Sequence, residues 1–181
     1  MKQMLSIIIF FCNVTAVSAQ YASAKPMVIV KEGNFSINNI TVSDQWPFDP
    51  LKELFHSAGR HKGGLNVRHI YDSLGIVLLE ERNDTTPSGT ISEAHIYFQL
   101  KKDNDVTPSH VFTGSFKVEN MEVSSKLSKA DISSQLKDYT EAPHYIPHTF
   151  RFSYKGIYLY FHFNNTDTQV TEVSIGPDKT N

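Results

Sequence analysis

The sequence predicts an α+β fold built by tandem duplication of one β-hairpin/helix/β-hairpin unit, with antiparallel sheet and one short helix in each repeat. Three sequence blocks recur in the same order, the first two at an offset of 81 positions and the third at 79: 33–43 and 114–124, 75–78 and 156–159, 91–96 and 170–175. Hairpin and helix signals fall between these blocks in both halves. A shared offset, shortened by two residues in one loop, favours duplication over chance similarity.

Each unit is predicted to open with a tight β-hairpin. Apolar residues alternate along 35–42 on either side of Asn38 and Asn39, and asparagine tolerates the left-handed backbone that two-residue hairpin turns require. Glu119 and Asn120 hold the same place in the second repeat.

A short helix should follow each hairpin. In the first repeat Asp49 is a candidate N-cap, Pro50 suits the first helical position and Gly59 is a natural stop. The apolar residues between them have the spacing of one helical face: Leu51, Leu54, Phe55 and Ala58. In the second repeat Ser128 and Asp131 form a start signal.

The rest of each unit is predicted to form strands. Two segments are candidates for an extra strand at the start of each unit: "MVIV" at 27–30 and "HVF" at 110–112. Each unit closes with a Gly-Ile-x-Leu strand, a polar loop at 80–90 or 162–169, and a final strand. In 157–163 the apolar residues alternate with an aromatic face that is either covered by a helix or offered to a partner: Tyr158, Tyr160 and His162.

The predicted organisation is a signal peptide at 1–19, a first repeat at 20–100, a charged linker at 101–109 and a second repeat at 110–181. Export is predicted from Lys2 at the start, the apolar run that follows and the small residues that end at Ala19, with cleavage after Ala19. The only cysteine, Cys12, lies in the signal peptide, so the mature chain has no disulfide. A cysteine-free exported domain favours the bacterial periplasm.

Asn-x-Ser/Thr sequons leave a eukaryotic secreted glycoprotein as an alternative source: Asn34, Asn39, Asn83 and Asn164. The net charge of −2 gives no basic footprint for nucleic acid. After the signal peptide, no apolar run is long enough for membrane insertion.

Motifs for catalysis, metals and cofactors are not found. Pro147 keeps His144 and His148 from sharing a regular helical face, and there is no His-Glu-x-x-His motif. Glu80 and Glu81 should point to opposite sides of a strand, as solvated charges at its edge. We therefore expect no enzyme activity, no catalytic or metal residues and no cofactor.

The segment "YDSLGIVLLEERNDTTPSGTISEAHIYF" at 71–98 resembles a family of small exported proteins of Gram-negative bacteria, marked by Tyr-Asp-x-Leu-Gly-Ile and often duplicated. In the second repeat only Gly156 and Ile157 keep this mark. Some such proteins are immunity partners of toxins delivered between bacteria, so the resemblance implies that role. The architecture is also similar to the β-lactamase-inhibitor-like group, in which a concave sheet grips another protein, although a shared fold does not fix function.

The sequence therefore predicts a periplasmic protein-binding module, most specifically an immunity protein that binds and occludes a cognate type VI-like effector toxin. Loops that differ between the repeats supply the expected contact residues: Arg60, His61, Lys62 and Arg68 in the first, and His144, Tyr145, His148 and Phe150 in the second. Arg60, His61 and Lys62 are expected in a mobile basic loop with Gly63 and Gly64, and the second group in a rigid aromatic one. The alternative is an envelope enzyme or a protein that binds a small ligand or metal through its histidine-bearing loops.

Overall fold

The structure is a computed structural model that describes residues 25–42, 46–47, 49, 51, 60–101 and 105–179. The predicted signal peptide and its cleavage point lie outside the described residues. The predicted first helix lies outside them too, apart from Asp49 and Leu51, and Leu51 is fully buried. Within the described ranges, no helix has the length and apolar character needed to cross a membrane.

Thirteen strands and one helix are found among the described residues. In chain order they are β1 (Met27–Lys31), β2 (Asn34–Ile37), β3 (Ile40–Val42), β4 (Arg60–Lys62), β5 (Val67–Tyr71), β6 (Ile76–Asn83), β7 (Thr86–Tyr97), β8 (Ser115–Val118), β9 (Met121–Glu122), α1 (Lys129–Gln135), β10 (Thr140–Pro143), β11 (Thr149–Tyr154), β12 (Ile157–Phe163) and β13 (Val170–Pro177).

The predicted α+β class is wrong, because the protein is mostly β. Strands hold 51% of the described residues, arranged in two sheets. Helix α1 starts as predicted, with Ser128 and Asp131 forming a reciprocal capping box. It has only seven residues, however, and Ile132 is the one that it buries. A helix this short cannot cover a sheet face, so the sheets cover one another instead.

The smaller sheet has the strand order β3-β2-β1-β8-β9. Its hairpin turns are where the sequence predicts them, with positive φ at Asn38, Asn39 and Glu119. Strand β1 confirms the predicted leading strand of the first half and pairs with β8 in parallel. The predicted leading strand at 110–112 is wrong, because those residues form no strand.

The larger sheet has the order β10-β11-β12-β13-β7-β6-β5-β4, with antiparallel neighbours throughout. Each predicted repeat contributes four consecutive strands, and the two sets meet where β7 pairs with β13, for example at Ile96 and Val173. The first strands of the two hairpins, β2 and β8, have bounds that differ by the same 81 positions as the sequence blocks. Both halves therefore share one continuous sheet.

The core lies between the two sheets. Its largest fully buried side chains come from both of them: Phe35 and Phe116 from the smaller sheet, Phe152 and Phe161 from the larger. Along β12 the burial alternates strictly, so the apolar set faces the core as predicted, and Tyr158, Tyr160 and His162 face away from it. We call this second side the outer face of the larger sheet.

The polar segment at 80–90 is not the loop that its composition predicts. Strands β6 and β7 continue through it and turn at Asp84, which has a φ of 57°. The segment at 162–169 does contain a loop, in which Asn164 Oδ1 accepts the backbone N–H groups of Thr166 and Thr168.

Candidate functional site

Four aromatic side chains contact one another in a row on the outer face, through tilted and edge-on ring contacts. We call this row the aromatic ladder: Tyr145, His144, Tyr160 and Tyr158. Successive ring centroids are 4.1, 4.8 and 4.9 Å apart. The ladder starts in the loop between β10 and β11 and continues onto β12. Tyr145 is 88% exposed, and its neighbour Ile146 is also exposed. The Tyr145 ring is thus presented to solvent, and the three other rings of the ladder are half-buried behind it.

The far end of the ladder borders a shallow groove of about 330 Å³. The Arg151 guanidinium lies 5.5 Å from the Tyr158 ring centroid and pairs with Asp178 at 2.6 Å. This contact keeps a cationic group over an aromatic face and gives the groove a polar wall. Aromatic rings beside an arginine are the composition found at the energetic centres of protein interfaces.

A buried polar network supports the ladder where the two halves of the sheet join. His95 on β7 contacts Glu172 at 2.6 Å and Glu93 at 2.9 Å. Tyr158 donates its hydroxyl proton to Glu93 at 2.5 Å, and Lys101 pairs with Glu172. The Tyr158 end of the ladder is therefore attached to the network by a hydrogen bond.

The charges of this network stabilise one another. Burial opposes the charge of His95, but the hydrogen bonds and charges of Glu172 and Glu93 outweigh it and raise the pKa of His95 to about 9. Burial likewise opposes ionisation of Glu172, but His95 and Lys101 lower its pKa to about 2. The pKa of Tyr158 is raised, chiefly by burial and then by Glu93, so its phenol stays a donor. At neutral pH the site holds an imidazolium between two carboxylates.

His162 continues the network toward β11. Its Nδ1 lies 3.0 Å from Thr149 Oγ1, and its Nε2 lies 3.5 Å from Ser174 Oγ. Burial lowers the pKa of His162, which keeps the ring neutral at neutral pH. This histidine is a hydrogen-bonded structural residue.

The eight predicted contact residues do not form one site. Arg60, His61, Lys62 and Arg68 lie on β4 and β5 at one edge of the larger sheet. The other four lie on or before β11, next to the opposite edge: His144, Tyr145, His148 and Phe150. Seven strand spacings separate the edge strands, which is about 34 Å before twist is considered.

The predicted mobile basic loop is wrong, because residues 60–62 form strand β4 and their charges are paired. Arg60 donates to both carboxylate oxygens of Asp72, at 2.8 and 2.9 Å, and to the carbonyl of Thr107 at 2.8 Å. That bidentate hydrogen bonding lowers the pKa of Asp72 to about 2. Lys62 pairs with Asp105 at 3.1 Å. The basic residues thus fasten the linker to the sheet.

The predicted residues of the second half divide between surface and core. His144 and Tyr145 belong to the aromatic ladder. His148 Nδ1 lies 2.8 Å from Asp167 Oδ1. Phe150 is only partly buried and packs on the core side against Phe163, at 5.9 Å between ring centroids. His144 and Tyr145 are therefore the two residues of this group that belong to a continuous exposed surface.

Sequence reasoning missed a buried relay at the opposite edge. Glu80, expected to be solvated, is 4% exposed and lies 2.7 Å from Nε2 of His69, which is 5% exposed. Gly89 N donates to the other Glu80 oxygen at 2.7 Å. His69 Nδ1 lies 2.9 Å from Nδ1 of His61, which is exposed. We call Glu80, His69 and His61 the histidine relay. Their side chains lie on the same side of adjacent strands, and this shared side is the signal that could have predicted the relay.

A metal centre is not evident in the parts of the chain that the structure describes. No group of three or more His, Cys, Asp or Glu side chains is arranged there to hold a metal ion. The histidine relay has one exposed imidazole, and the two oxygens of its carboxylate are already in contact with His69 and Gly89. It can position a proton on His61, but it offers only one open ligand atom.

Comparisons with known proteins bear mainly on the first part of the chain. A family model described as "Domain of unknown function (DUF7738)" matches residues 27–133. This range contains the whole smaller sheet and the histidine relay and crosses the predicted linker. It ends within α1, before the aromatic ladder. A comparison with curated protein sequences gives no match.

One solved structure similar to this chain is the crystal structure of a cysteine-rich secretory protein from Staphylococcus aureus. The TM-score is 0.37 at 14% sequence identity. The alignment covers 74% of this chain and 44% of that one, so the chain spans less than half of that protein's length.

Proposed function

The chain belongs to the DUF7738 family, which is defined by a domain of unknown function, and we propose that it acts as an exported protein-binding module without catalysis. The observation that carries this proposal is the aromatic ladder, whose outer residue, Tyr145, is 88% exposed and contacts the His144 ring. An exposed ring that continues into a row of further rings is the kind of contiguous surface that marks protein interaction sites. The ladder is the contact surface in this proposal.

A protein partner fits this surface better than a small molecule does. The groove beside Tyr158 is shallow, and the ladder extends from it across β12 to an exposed loop tip. Pockets for small molecules instead enclose most of the ligand surface. Rings already held by contacts with neighbouring rings lose less conformational freedom on binding, which leaves more of the contact energy for affinity.

The finer proposal is that the partner is a toxin delivered between bacteria and that binding occludes its active site in the periplasm. The support is the predicted export signal, the absence of cysteine after it and the resemblance of residues 71–98 to exported immunity proteins. An immunity protein needs a rigid contact surface and no chemistry of its own. The aromatic ladder meets that requirement.

The binding test is affinity capture of the protein encoded by the neighbouring gene, with purified variants compared by calorimetry. Tyr145→Ala should weaken binding about 30-fold, equivalent to about 2 kcal/mol, because a central aromatic anchor is lost. Leu65→Ala is the matched control, since Leu65 is 97% exposed but lies between β4 and β5 at the far edge. Equal losses in the two variants, or no binding by the wild type, would contradict the proposal.

The immunity role has a separate test in cells. A strain that lacks this gene should be killed by its siblings, and the wild-type gene should restore survival where the Tyr145→Ala gene does not. If the deletion strain survives as well as its parent, the protein is not an immunity protein, whatever it binds.

A second candidate function is histidine-dependent chemistry, and the histidine relay is the observation that favours it. In the relay, a buried carboxylate orients one imidazole and, through it, a second imidazole that is exposed. Carboxylates orient the histidines that act as catalytic bases and metal ligands in a similar way. Stoichiometric zinc in the purified protein that is lost in His61→Ala, and kept in His110→Ala, would favour this function. Loss on changing His144 and His148 instead would assign the metal to the loop between β10 and β11.

A further inference from the structure

A separate cleft opens where the turns of the smaller sheet meet α1 and the turn between β11 and β12. It has a volume of about 470 Å³. Its floor is apolar, made by Met121 and Leu136, which are both buried. Two tyrosine rings, Tyr139 and Tyr154, form one wall, with their centroids 4.9 Å apart. We call it the tyrosine cleft.

Carboxylates dominate the charge of the tyrosine cleft. Three acidic residues and one basic residue line it: Glu32, Glu119, Asp138 and Lys155. Taken as three negative charges and one positive charge, they give the lining a net charge of −2. Among the ion pairs of the described residues, none involves any of the three carboxylates. No direct ion pair among the described residues therefore neutralises these three carboxylates.

Glu119 is held in place at the centre of this charge. One of its oxygens accepts the hydroxyl proton of Tyr139 at 3.0 Å and the backbone N–H of Glu32 at 2.8 Å. Both bonds reach Oε1, so Oε2 accepts no hydrogen bond from the described residues and can accept one from a ligand. A fixed carboxylate beside tyrosine faces attracts cations through charge and through the ring quadrupole.

The protein already places an ammonium group at the mouth of this cleft. Lys155 Nζ lies 5.0 Å from the centroid of the Tyr154 ring. Contact with Tyr154, followed by the charges of Glu32 and Glu119, raises the pKa of Lys155. Lys155 is exposed and belongs to a turn, so it can leave the ring when another cation arrives.

We propose that the tyrosine cleft binds an ammonium group carried on a short aliphatic chain, with the chain on the Met121–Leu136 floor and the nitrogen between Glu119 and Tyr154. An anion is excluded by the net charge. A neutral apolar ligand would make no charge interaction with the carboxylates of the cleft. The same chemistry occurs in free alkylamines and in lysine side chains of a protein, and both are sources that the experiment must separate.

The test is an NMR titration of the full mature chain with hexylammonium chloride, with 1-hexanol and sodium hexanoate as matched probes of equal chain length. Hexylammonium should give saturable shifts centred on Met121, Leu136 and Tyr139, and the other two probes should not. No saturable shift with hexylammonium, or equal affinity for hexanol, would overturn the proposal. A lysine-containing peptide that binds more tightly than hexylammonium would assign the site to a protein ligand, and one that binds less tightly would assign it to a free amine.

Charge variants sharpen this test. Glu119→Gln keeps an oxygen for Tyr139 and for the Glu32 amide but removes the charge, so hexylammonium affinity should fall about fivefold. Asp138→Asn, at an exposed position, should act in the same direction if Glu119→Gln perturbs the fold. Lys155→Gln removes the competing cation and should raise the affinity instead. Glu122→Gln, on β9 outside the cleft, is the control, and an equal effect in Glu122→Gln and Glu119→Gln would refute the proposal.

Discussion

His61 Nδ1 lies 2.9 Å from His69 Nδ1, and His69 Nε2 lies 2.7 Å from Glu80. An ionised Glu80 can only accept, so a neutral His69 carries its proton on Nε2 and accepts from His61 at Nδ1. His61 then has its proton on Nδ1 and presents a bare Nε2 to solvent. A buried carboxylate thus sets the tautomer of an exposed histidine through a second ring.

Glu80→Gln should reverse both tautomers. The glutamine oxygen can still accept from Gly89 N, which turns its NH₂ group toward His69 Nε2 and makes that nitrogen an acceptor. His69 then donates from Nδ1, and the proton of His61 moves to Nε2. Long-range ¹H–¹⁵N NMR of the imidazole rings measures this directly. Glu81→Gln is the control on the adjacent residue and should leave the tautomers unchanged, whereas an unaltered His61 in Glu80→Gln would disprove the relay.

The His95 network should make stability depend on pH on the alkaline side. The folded-state pKa of His95, about 9, lies above its usual 6.5, so its contribution is complete below pH 6.5 and is lost as the pH rises through 9. The loss should be about 3 kcal/mol in the free energy of unfolding. Glu172, with a pKa of about 2, acts in the opposite sense and loses its contribution only as the pH falls from about 4.5 through 2.

Urea denaturation at pH 6, 7.5 and 9 measures this change. In His95→Gln the alkaline decline should disappear, because the titrating group is gone. His110→Gln should keep the wild-type profile, since His110 is exposed and contacts Ser109. An unchanged alkaline decline in His95→Gln would mean that another group causes it.

Two glycines that occupy the same place in the repeated Gly-Ile-x-Leu segment should respond differently to alanine. Gly75 and Gly156 have φ values of 69° and 81°, so both variants carry a similar backbone strain of about 1 kcal/mol. A Cβ on Gly75 would also lie 2.2 Å from Phe112 N, whereas one on Gly156 would meet nothing within 4 Å. Gly75→Ala should therefore lower the free energy of unfolding by at least 2 kcal/mol more than Gly156→Ala. Thermal or urea denaturation of the two variants side by side gives the difference, and equal losses would refute the close contact.

The parts of the fold that follow from local chemistry could be predicted from the sequence. The Asn38–Asn39 turn, the capping box of Ser128 and the alternation along β12 each depend on a few neighbouring residues. The fold class could not be predicted, because it depends on the number of strands that pair and on the length of α1. Polar composition at 80–90 indicated a loop, but cross-strand pairing overrides composition in a hairpin.

The candidate site shows the same division. The outward aromatic face of β12 could be predicted by counting alternate residues, and Tyr145 was identified from its loop. The network of His95 could not, since Glu93, Glu172 and Lys101 come from distant parts of the sequence and meet only after β7 pairs with β13. Glu80 was misjudged because the polar residues that follow it indicated a loop, whereas β6 continues there and its pairing with β5 places Glu80 beside His69.

The shared sheet predicts that the two halves unfold together. Trp46, the only tryptophan, is buried against Phe35 in the first half, with ring centroids 4.7 Å apart, so its fluorescence reports on that half. Phe161 on β12 is fully buried in the second half, and Phe161→Ala should cost about 3–5 kcal/mol in the free energy of unfolding. Since one core joins both sheets, this loss should appear in full in the Trp46 transition and coincide with the far-UV circular dichroism transition. Leu65→Ala, at an exposed position, should leave both transitions in place. A Trp46 transition that does not move in Phe161→Ala would mean that the predicted repeats are independent domains.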